Sequence, residues 1–284
     1  MSIYYGTSFG SSQSILNDDS KKIEFSFRRT ADLHPLQPRC RLRRATVAGD
    51  IVDVYEFIQN STNYRLTAGG DLVSGVGETF YLVSSYNGSQ NFLHGTQSDT
   101  AKQGLVTLNS SNGWPSVKFP DTGGVINYGN ILSKPITKMT MIFRAKPRGA
   151  SYDLYGFRKS DDGSNEVSFC LGGAENYFSA GANVIFLDNN TLRPTANYSI
   201  SAVIYNGEEA SNEDRFKWYL NNVKSSLDAS INTAPTSINY EGSLNFPQWL
   251  TYISDAYYTD WILYDRVLTE EELTTVYNAL AGAY

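Results

Sequence analysis

TDWILYDRVLTEEELTTVYNALAGAY, residues 259–284, changes character partway along. Asp260-Trp261-Ile262-Leu263-Tyr264-Asp265 is aromatic and branched, as a pleated, half-buried strand prefers. Thr269 then stands where a helix N-cap belongs, with Glu272 three residues on, so each side chain can satisfy the other's backbone N–H. Leu268 and Leu273 are placed to form the apolar staple of that cap. Glu270, Glu271 and Glu272 put negative charge at the positive end of the helix dipole. Leu273, Val276, Tyr277 and Leu280 keep the spacing of one buried helical face. The stretch predicts a strand and then a capped helix over Thr269–Ala281.

Upstream of it, short runs rich in Val, Ile, Phe, Tyr and Thr alternate with Gly, Asn, Asp and Pro. Strands are predicted at Ile23–Arg29, Arg39–Thr46, Ile51–Ile58, Thr79–Ser84, Ser116–Phe119 and Lys138–Lys146. Others are predicted at Asp153–Arg158, Glu166–Leu171, Asn183–Leu187, Tyr198–Tyr205, Arg215–Leu220 and Tyr257–Tyr264. Ser160–Ser164 reads as a hairpin, and Asp188–Asn190 and Asn221-Asn222 as turns. A dozen strands and one late helix predict an all-β protein: two packed antiparallel sheets with a short C-terminal helix. The absence of a 20–50 residue repeat argues against a propeller or solenoid. Residues 1–20 are small and polar, with Tyr4, Tyr5 and Phe9 as isolated anchors; they read as an arm ordered by contact with a partner. A composition shift near Gly113, bracketed by Pro115 and Pro120, offers a boundary. The reading preferred here is one sandwich over residues 21–284.

Composition narrows the classes. Hydrophobic residues at 41% and aromatics at 13% supply a large core and argue against disorder. The 20 tyrosines suit sheet faces, subunit interfaces and surfaces that stack on sugars. A net charge of −6 disfavours nucleic acid as a partner, although six arginines crowd into Arg28–Arg44. Alternating along strands, they can pair with Asp50, Asp53 and Glu56 instead. Cys40 and Cys170 form neither a disulfide framework nor a CxxC metal spacing; two buried thiols or a single bridge both fit. MSIYYGTSFGSSQS lacks the pattern of a secretory signal. No run of eighteen apolar residues predicts membrane insertion. Synthesis in a cytoplasm follows as the expectation.

Two resemblances add to this reading. NGWPSVKFPDTGGVINYGN, ITKMTMIFRAKP and DWILYDRVLTEEELTTVY resemble the concanavalin A-like, laminin-G-like sandwich family, with Met139, Met141, Phe143 and Ala145 as the alternating apolar residues of its second strand. FSFRRTADLHPLQPRCRLRRATVAGDIVDVYEF resembles the opening segment of sandwich modules in phage and prophage structural proteins, an opening shared by the arabinofuranosidase B catalytic module. Ser26-Phe27-Arg28-Arg29, Arg41-Leu42-Arg43-Arg44 and Asp53 stand in the places of its paired arginine runs and Asp-initiated strand. Downstream, Tyr86, Ser89, Asn91, His94, Thr96, Gln97 and Gln103 fall in register with that family's YDQSGNGNHATQ motif, while Asn87, Gly88, Gln90, Phe92 and Gly104 depart from it.

The resemblance implies a virion protein or a glycan-active module, and the residues bear on each. Retaining hydrolysis needs two carboxylates about 5 Å apart. Glu166, Glu175, Asp188, Glu208, Glu209, Glu213, Asp255 and Asp260 are available, but none sits in a catalytic motif, so no catalytic residue is assigned. His34 and His94 lack zinc-site spacing. Asp161–Asn165 lacks the terminal Glu of a calcium loop. No cofactor is therefore expected, with room left for the structural calcium that sandwiches of the family often carry. Phe246–Tyr258 has the aromatic and polar composition of a sugar-binding surface. Trp249, Tyr252, Asp255 and Tyr257 are its candidate contacts, core or interface packing being the other use of such aromatics.

The expectation is a non-enzymatic bacteriophage virion protein of tail, fibre or head. It would join other virion proteins through its N-terminal arm, assemble as a homo-oligomer, and adhere to host surface glycans or serve assembly. The alternative is a glycan-cleaving enzyme or carbohydrate-binding module of the arabinofuranosidase type.

Overall fold

The computed structural model describes residues 18, 20–27, 37–45, 50–86, 94–120, 123–132, 135–147, 154–159, 167–172, 175–180, 183–187, 197–225, 234–239, 242–247 and 256–282. These form β1 (Lys21–Ser26), β2 (Cys40–Arg44), β3 (Ile51–Val54), β4 (Glu56–Phe57), β5 (Asn63–Arg65), β6 (Leu72–Ser74) and β7 (Phe80–Ser85). Next come β8 (Gly95–Thr96), β9 (Gly104–Ser111), β10 (Trp114–Lys118), β11 (Ile126–Asn127) and β12 (Lys138–Pro147). They are followed by β13 (Leu154–Lys159), β14 (Val167–Gly172), β15 (Glu175–Ala180), β16 (Asn183–Leu187) and β17 (Ser199–Asn206). A one-turn helix, α1 (Asn212–Arg215), leads into β18 (Phe216–Leu220), β19 (Val223–Lys224), β20 (Leu244–Phe246), β21 (Ala256–Tyr264) and the closing helix α2 (Glu270–Ala281).

The main sheet forks at β7. Phe80, Tyr81 and Leu82 pair with Val106, Leu105 and Gly104 of β9, whereas Ser84 and Ser85 pair with Thr96 and Gly95 of β8. One antiparallel branch runs β9–β10–β21–β12–β17–β18–β19, and the other runs β8–β11–β20–β13–β14–β15–β16. Strands β2 and β3 extend the opposite edge of β7. The fork requires close backbone approach, and glycine supplies it. A Cβ on Gly95 would lie 2.1 Å from the Cγ2 of Ile126, and one on Gly104 would lie 2.4 Å from the Cγ2 of Val117.

The two branches face each other across the core, giving the expected all-β sandwich. Met139, Met141, Phe143 and Ala145 of β12 and Trp261 and Leu263 of β21 point inward to meet Ile126, Leu244 and Phe246 of the other branch. Trp261 is fully buried and stacks on Phe25 at 4.1 Å and on Phe246 at 4.6 Å between ring centroids. Its indole N–H donates to the Tyr128 hydroxyl. First and last strands are neighbours: Ile23, Glu24, Phe25 and Ser26 of β1 pair with Leu263, Ile262, Trp261 and Asp260 of β21.

Helix α2 covers part of the outer side of the first branch. Leu273, Val276, Ala279 and Leu280 pack on Ile142, Ile200, Ala202, Ile262 and Tyr264. Ala279 joins the expected face, and Tyr277, half-buried, packs against the same cluster at its rim. The capping box forms, with Glu272 N–H donating to Thr269 Oγ1 at 3.2 Å and Thr269 N–H to Glu272 Oε2 at 2.8 Å. Leu268 and Leu273 share one buried cluster, as a staple requires. Gly282 ends the helix at φ 80°, a left-handed position that glycine tolerates without strain.

Arg266 ties the helix start to the chain's first described residues. It donates to both carboxylate oxygens of Glu272, at 2.7 and 2.9 Å, and to Asp18, and it donates to Ser20 Oγ at 3.0 Å. The Arg266 guanidinium holds the Glu272 carboxyl below its ordinary value despite partial burial. Burial pushes the Asp18 carboxyl up, but hydrogen bonds from Ser20 and Arg266 outweigh it and leave Asp18 below its ordinary value as well. Depressed folded values mean stability that is complete above the unfolded carboxylate range and lost as pH falls through and below about 4. Thermal unfolding followed from pH 6 to 3 should therefore fall, and Arg266→Met should flatten that decline. An unchanged pH slope in the variant would refute the linkage.

Of the twelve predicted strands, the one at Ile51–Ile58 breaks in two, because Glu56–Phe57 joins a separate three-stranded sheet with β5 and β6. Strands β5, β6, β8, β9, β11, β15, β19 and β20 were not anticipated; most are two or three residues long, and in the longer β9 Ser and Asn on exposed positions mask the alternation. The shift near Gly113 falls at the turn between paired strands β9 and β10, where Asn112 and Gly113 adopt φ 49° and 85°. Asn221 and Asn222 form the expected turn, both at positive φ. The Ser160–Ser164 hairpin and the Asp188–Asn190 turn lie outside the described residues.

Candidate functional site

Along β2, Cys40 and Leu42 enter the core while Arg41 and Arg43 face outward. Register places Ile51, Arg43, Tyr81, Leu105, Lys118, Tyr257 and Lys146 side by side on β3, β2, β7, β9, β10, β21 and β12. Direct cross-strand partners share a face, so at about 4.8 Å per strand the row extends roughly 29 Å. None of the seven is buried; Ile51 is 51% and Leu105 39% exposed.

Midway along the row a cleft of about 550 Å³ opens, within the range of small-molecule sites. Arg43, Tyr81, Leu105 and Lys118 line it together with Thr100 and Gln103. The Arg43 guanidinium lies over the Tyr81 ring, 4.4 Å from its centroid, a cation–π arrangement. Its Nε–H donates to Gln103 Oε1 at 2.7 Å. Gln103 is itself held, its amide donating to the Gln97 carbonyl at 3.1 Å, while Gln97 donates to the Val125 carbonyl at 2.8 Å. The two terminal nitrogens of Arg43 engage no carboxylate among the described residues. No Asp or Glu is among the described lining residues.

Beside the cleft, Arg41 donates to both oxygens of Asp53, at 2.8 and 3.2 Å, and Tyr86 donates to Asp53 Oδ1 at 2.9 Å. His94 meets the Tyr86 ring edge-on at 4.7 Å. The Arg41 hydrogen bond holds the Asp53 carboxyl below its ordinary value against partial burial. Burial and then the neighbouring Asp53 push the Tyr86 phenol up, and burial lowers the His94 imidazole. Asp53 is thus an ionised, pinned carboxylate and a poor proton donor.

The Arg41–Arg44 run and the Tyr86–Gln103 segment singled out in the sequence therefore meet here. Tyr86, Gln97 and Gln103 of the drifted motif act as braces for Arg41 and Arg43. Of the expected ion pairs, Arg41–Asp53 forms at 2.8 Å and Arg44–Asp50 at 3.2 Å. Glu56 pairs instead with Arg65, at 2.9 Å, because β4 and β5 set the two directly opposite.

Among the predicted sugar contacts, Tyr257 is half-buried on β21 opposite Lys118 and so belongs to the row. Trp249, Tyr252 and Asp255 lie outside the described residues, as do Tyr4, Tyr5 and Phe9 of the arm. Sequence reasoning did not pick out Arg43, Tyr81, Leu105 and Lys118 as one site, since only cross-strand register assembles them. Cys40 is a buried free thiol.

None of the candidate carboxylates whose side chains are described lines this cleft. Asp260 is fully buried in β21. It accepts from Ser26 and, at 2.6 Å, from Thr259, with Arg144 at 4.0 Å. Glu208 pairs with Lys138 at 2.6 Å, Glu209 accepts from Asn206 at 2.9 Å, and Glu213 lies in the first turn of α1. Glu175 opens β15; Glu166, Asp188 and the Asp161–Asn165 turn lie outside the described residues. Among the described residues no three His, Cys, Asp or Glu side chains gather as metal ligands, and no helix is long and apolar enough to cross a membrane.

No protein-family model matches the chain, and no curated protein matches it in sequence. Solved structures do resemble it. A GH54 α-L-arabinofuranosidase soaked with a cyclic sulfate inhibitor aligns over 96% of this chain with a TM-score of 0.57 and 15% identity. An arabinofuranosidase complexed with arabinofuranosyl-α-1,2-xylobiose aligns over 96% with a TM-score of 0.58 and 13% identity. The chain spans 65% of the length of each of these enzymes. The botulinum neurotoxin serotype D binding domain aligns over 95% of this chain and 53% of its own, with a TM-score of 0.50 and 13% identity. At such identity the likeness concerns the fold. The resemblance to phage structural proteins has no counterpart among these three.

Proposed function

We propose that this chain is a carbohydrate-binding sandwich whose ligand lies along the outward row and enters the cleft between Arg43 and Lys118. The observation carrying this reading is the described lining itself: an aromatic ring, apolar side chains, an amide and two cations, with no carboxylate among the described residues. Stacking on Tyr81 and hydrogen bonds to polar side chains suit a sugar. Glycosidic hydrolysis at the same cleft would need two carboxyl groups flanking the bond. The fold likeness to sugar-processing proteins, one of them complexed with an arabinofuranosyl-xylobiose, supports the ligand class. Display on a phage particle through residues 1–20, with Tyr4, Tyr5 and Phe9 as contacts, belongs to the same proposal and rests on the opening segment's resemblance alone.

A glycan array of neutral and acidic oligosaccharides, followed by calorimetry on the best binder, tests it. Tyr81→Ala should weaken that binder by roughly 2 kcal/mol, about 30-fold in Kd, with the unfolding midpoint nearly unchanged. Binding to no glycan, or binding indifferent to Tyr81, would remove the reading. Release of reducing sugar from a bound glycan would replace it with the hydrolase reading.

A further inference from the structure

Resting on the glycan reading, we infer that the cleft selects acidic sugars, with Arg43 as the anchor for a sugar carboxylate. In a chain of net charge −6, both arginines that flank Arg43 on β2 are answered by acids: Arg41, on the same face, by Asp53, and Arg44, on the opposite face, by Asp50. Arg43, between them on the same strand, is answered by none among the described residues. Its neighbours instead fix its position. Gln103 occupies the Nε–H, Tyr81 supports the guanidinium plane, and Gln97 locks Gln103. This leaves the end of the guanidinium fork, the edge that receives a carboxylate through two parallel hydrogen bonds. Restraint by three neighbours means little side-chain freedom is lost when the anion arrives. Lys118 adds a second positive charge to the same cleft. With Tyr81 and Leu105 alongside, the site offers a carboxylate seat and a surface for the ring that bears it.

The wild-type chain decides the matter with two probes of one backbone, a galacturonic acid trimer and its methyl ester. Calorimetry at low salt should give at least a tenfold preference for the free acid, shrinking as salt is raised. Arg43→Met should abolish that preference, and Arg43→Lys should restore it only in part, because an ammonium lacks the fork. Equal affinity for acid and ester would overturn the inference while leaving the glycan reading intact. A preference that survives Arg43→Met would overturn the assignment to Arg43. Binding of neither trimer, with a neutral oligosaccharide bound in a Tyr81-dependent way, would also overturn it; no binding of any sugar removes both readings together.

Discussion

Trp261→Ala should lower the unfolding midpoint by roughly 10 °C, corresponding to a loss of about 4 kcal/mol. Trp261 is fully buried where β1, β21 and β20 meet, stacked on Phe25 and Phe246, so its removal leaves a cavity bordered by two strands on one layer and one on the other. It also takes away the donor that meets the buried Tyr128 hydroxyl. Trp261→Phe separates the two effects: it keeps an aromatic ring and loses the N–H, with an expected cost of about 1–2 kcal/mol. Differential scanning calorimetry reads both variants. A Trp261→Ala midpoint within a few degrees of wild type would show that the two layers do not depend on this ring.

Asp260→Ala should cost about 3–5 kcal/mol, for an electrostatic reason. Asp260 and Arg144 face each other across β21 and β12 on the outer side of the first branch, both buried, with Ser26 and Thr259 donating to the carboxylate. Removing the acid leaves a buried guanidinium without that counter-charge. Removing both charges at once, in Asp260→Leu with Arg144→Met, should recover much of the loss, because desolvating the pair offsets most of its attraction. Denaturant unfolding of Asp260→Leu, of Arg144→Met and of the two combined closes the cycle. Simple addition of the two single losses in the double variant would refute coupling between Asp260 and Arg144.

Much of this fold was legible where one physical signal acts locally. The Thr269–Glu272 cap, the apolar face of α2 and the inward alternation of Met139, Met141 and Phe143 are short-range patterns, and the structure keeps them. The burial of Asp260 was not readable in the sequence, because its partners Ser26 and Arg144 come from distant strands. The cleft was not readable for a similar reason. Arg43, Tyr81, Leu105 and Lys118 are each unremarkable in sequence; a shift of one residue in any pairing would turn one of them inward. Tyr257 was reached through its aromatic neighbourhood, but its place beside Lys118 comes from the pairing of β10 with β21.

The pairing of β1 with β21 also sets when this protein can exist. Ser26 and Asp260 are hydrogen-bonded neighbours separated by 234 residues, so β1 leaves the ribosome roughly 10–50 s before its partner at ordinary synthesis rates. Throughout that interval Ile23, Phe25 and Phe27 have no Trp261 or Leu263 to cover them, and β10 and β12 lack the strand that joins them. The branch that carries the far end of the outward row is therefore completed only once nearly the whole chain has been made. A premature stop before residue 256 would yield an exposed apolar edge prone to association, not a smaller folded sandwich.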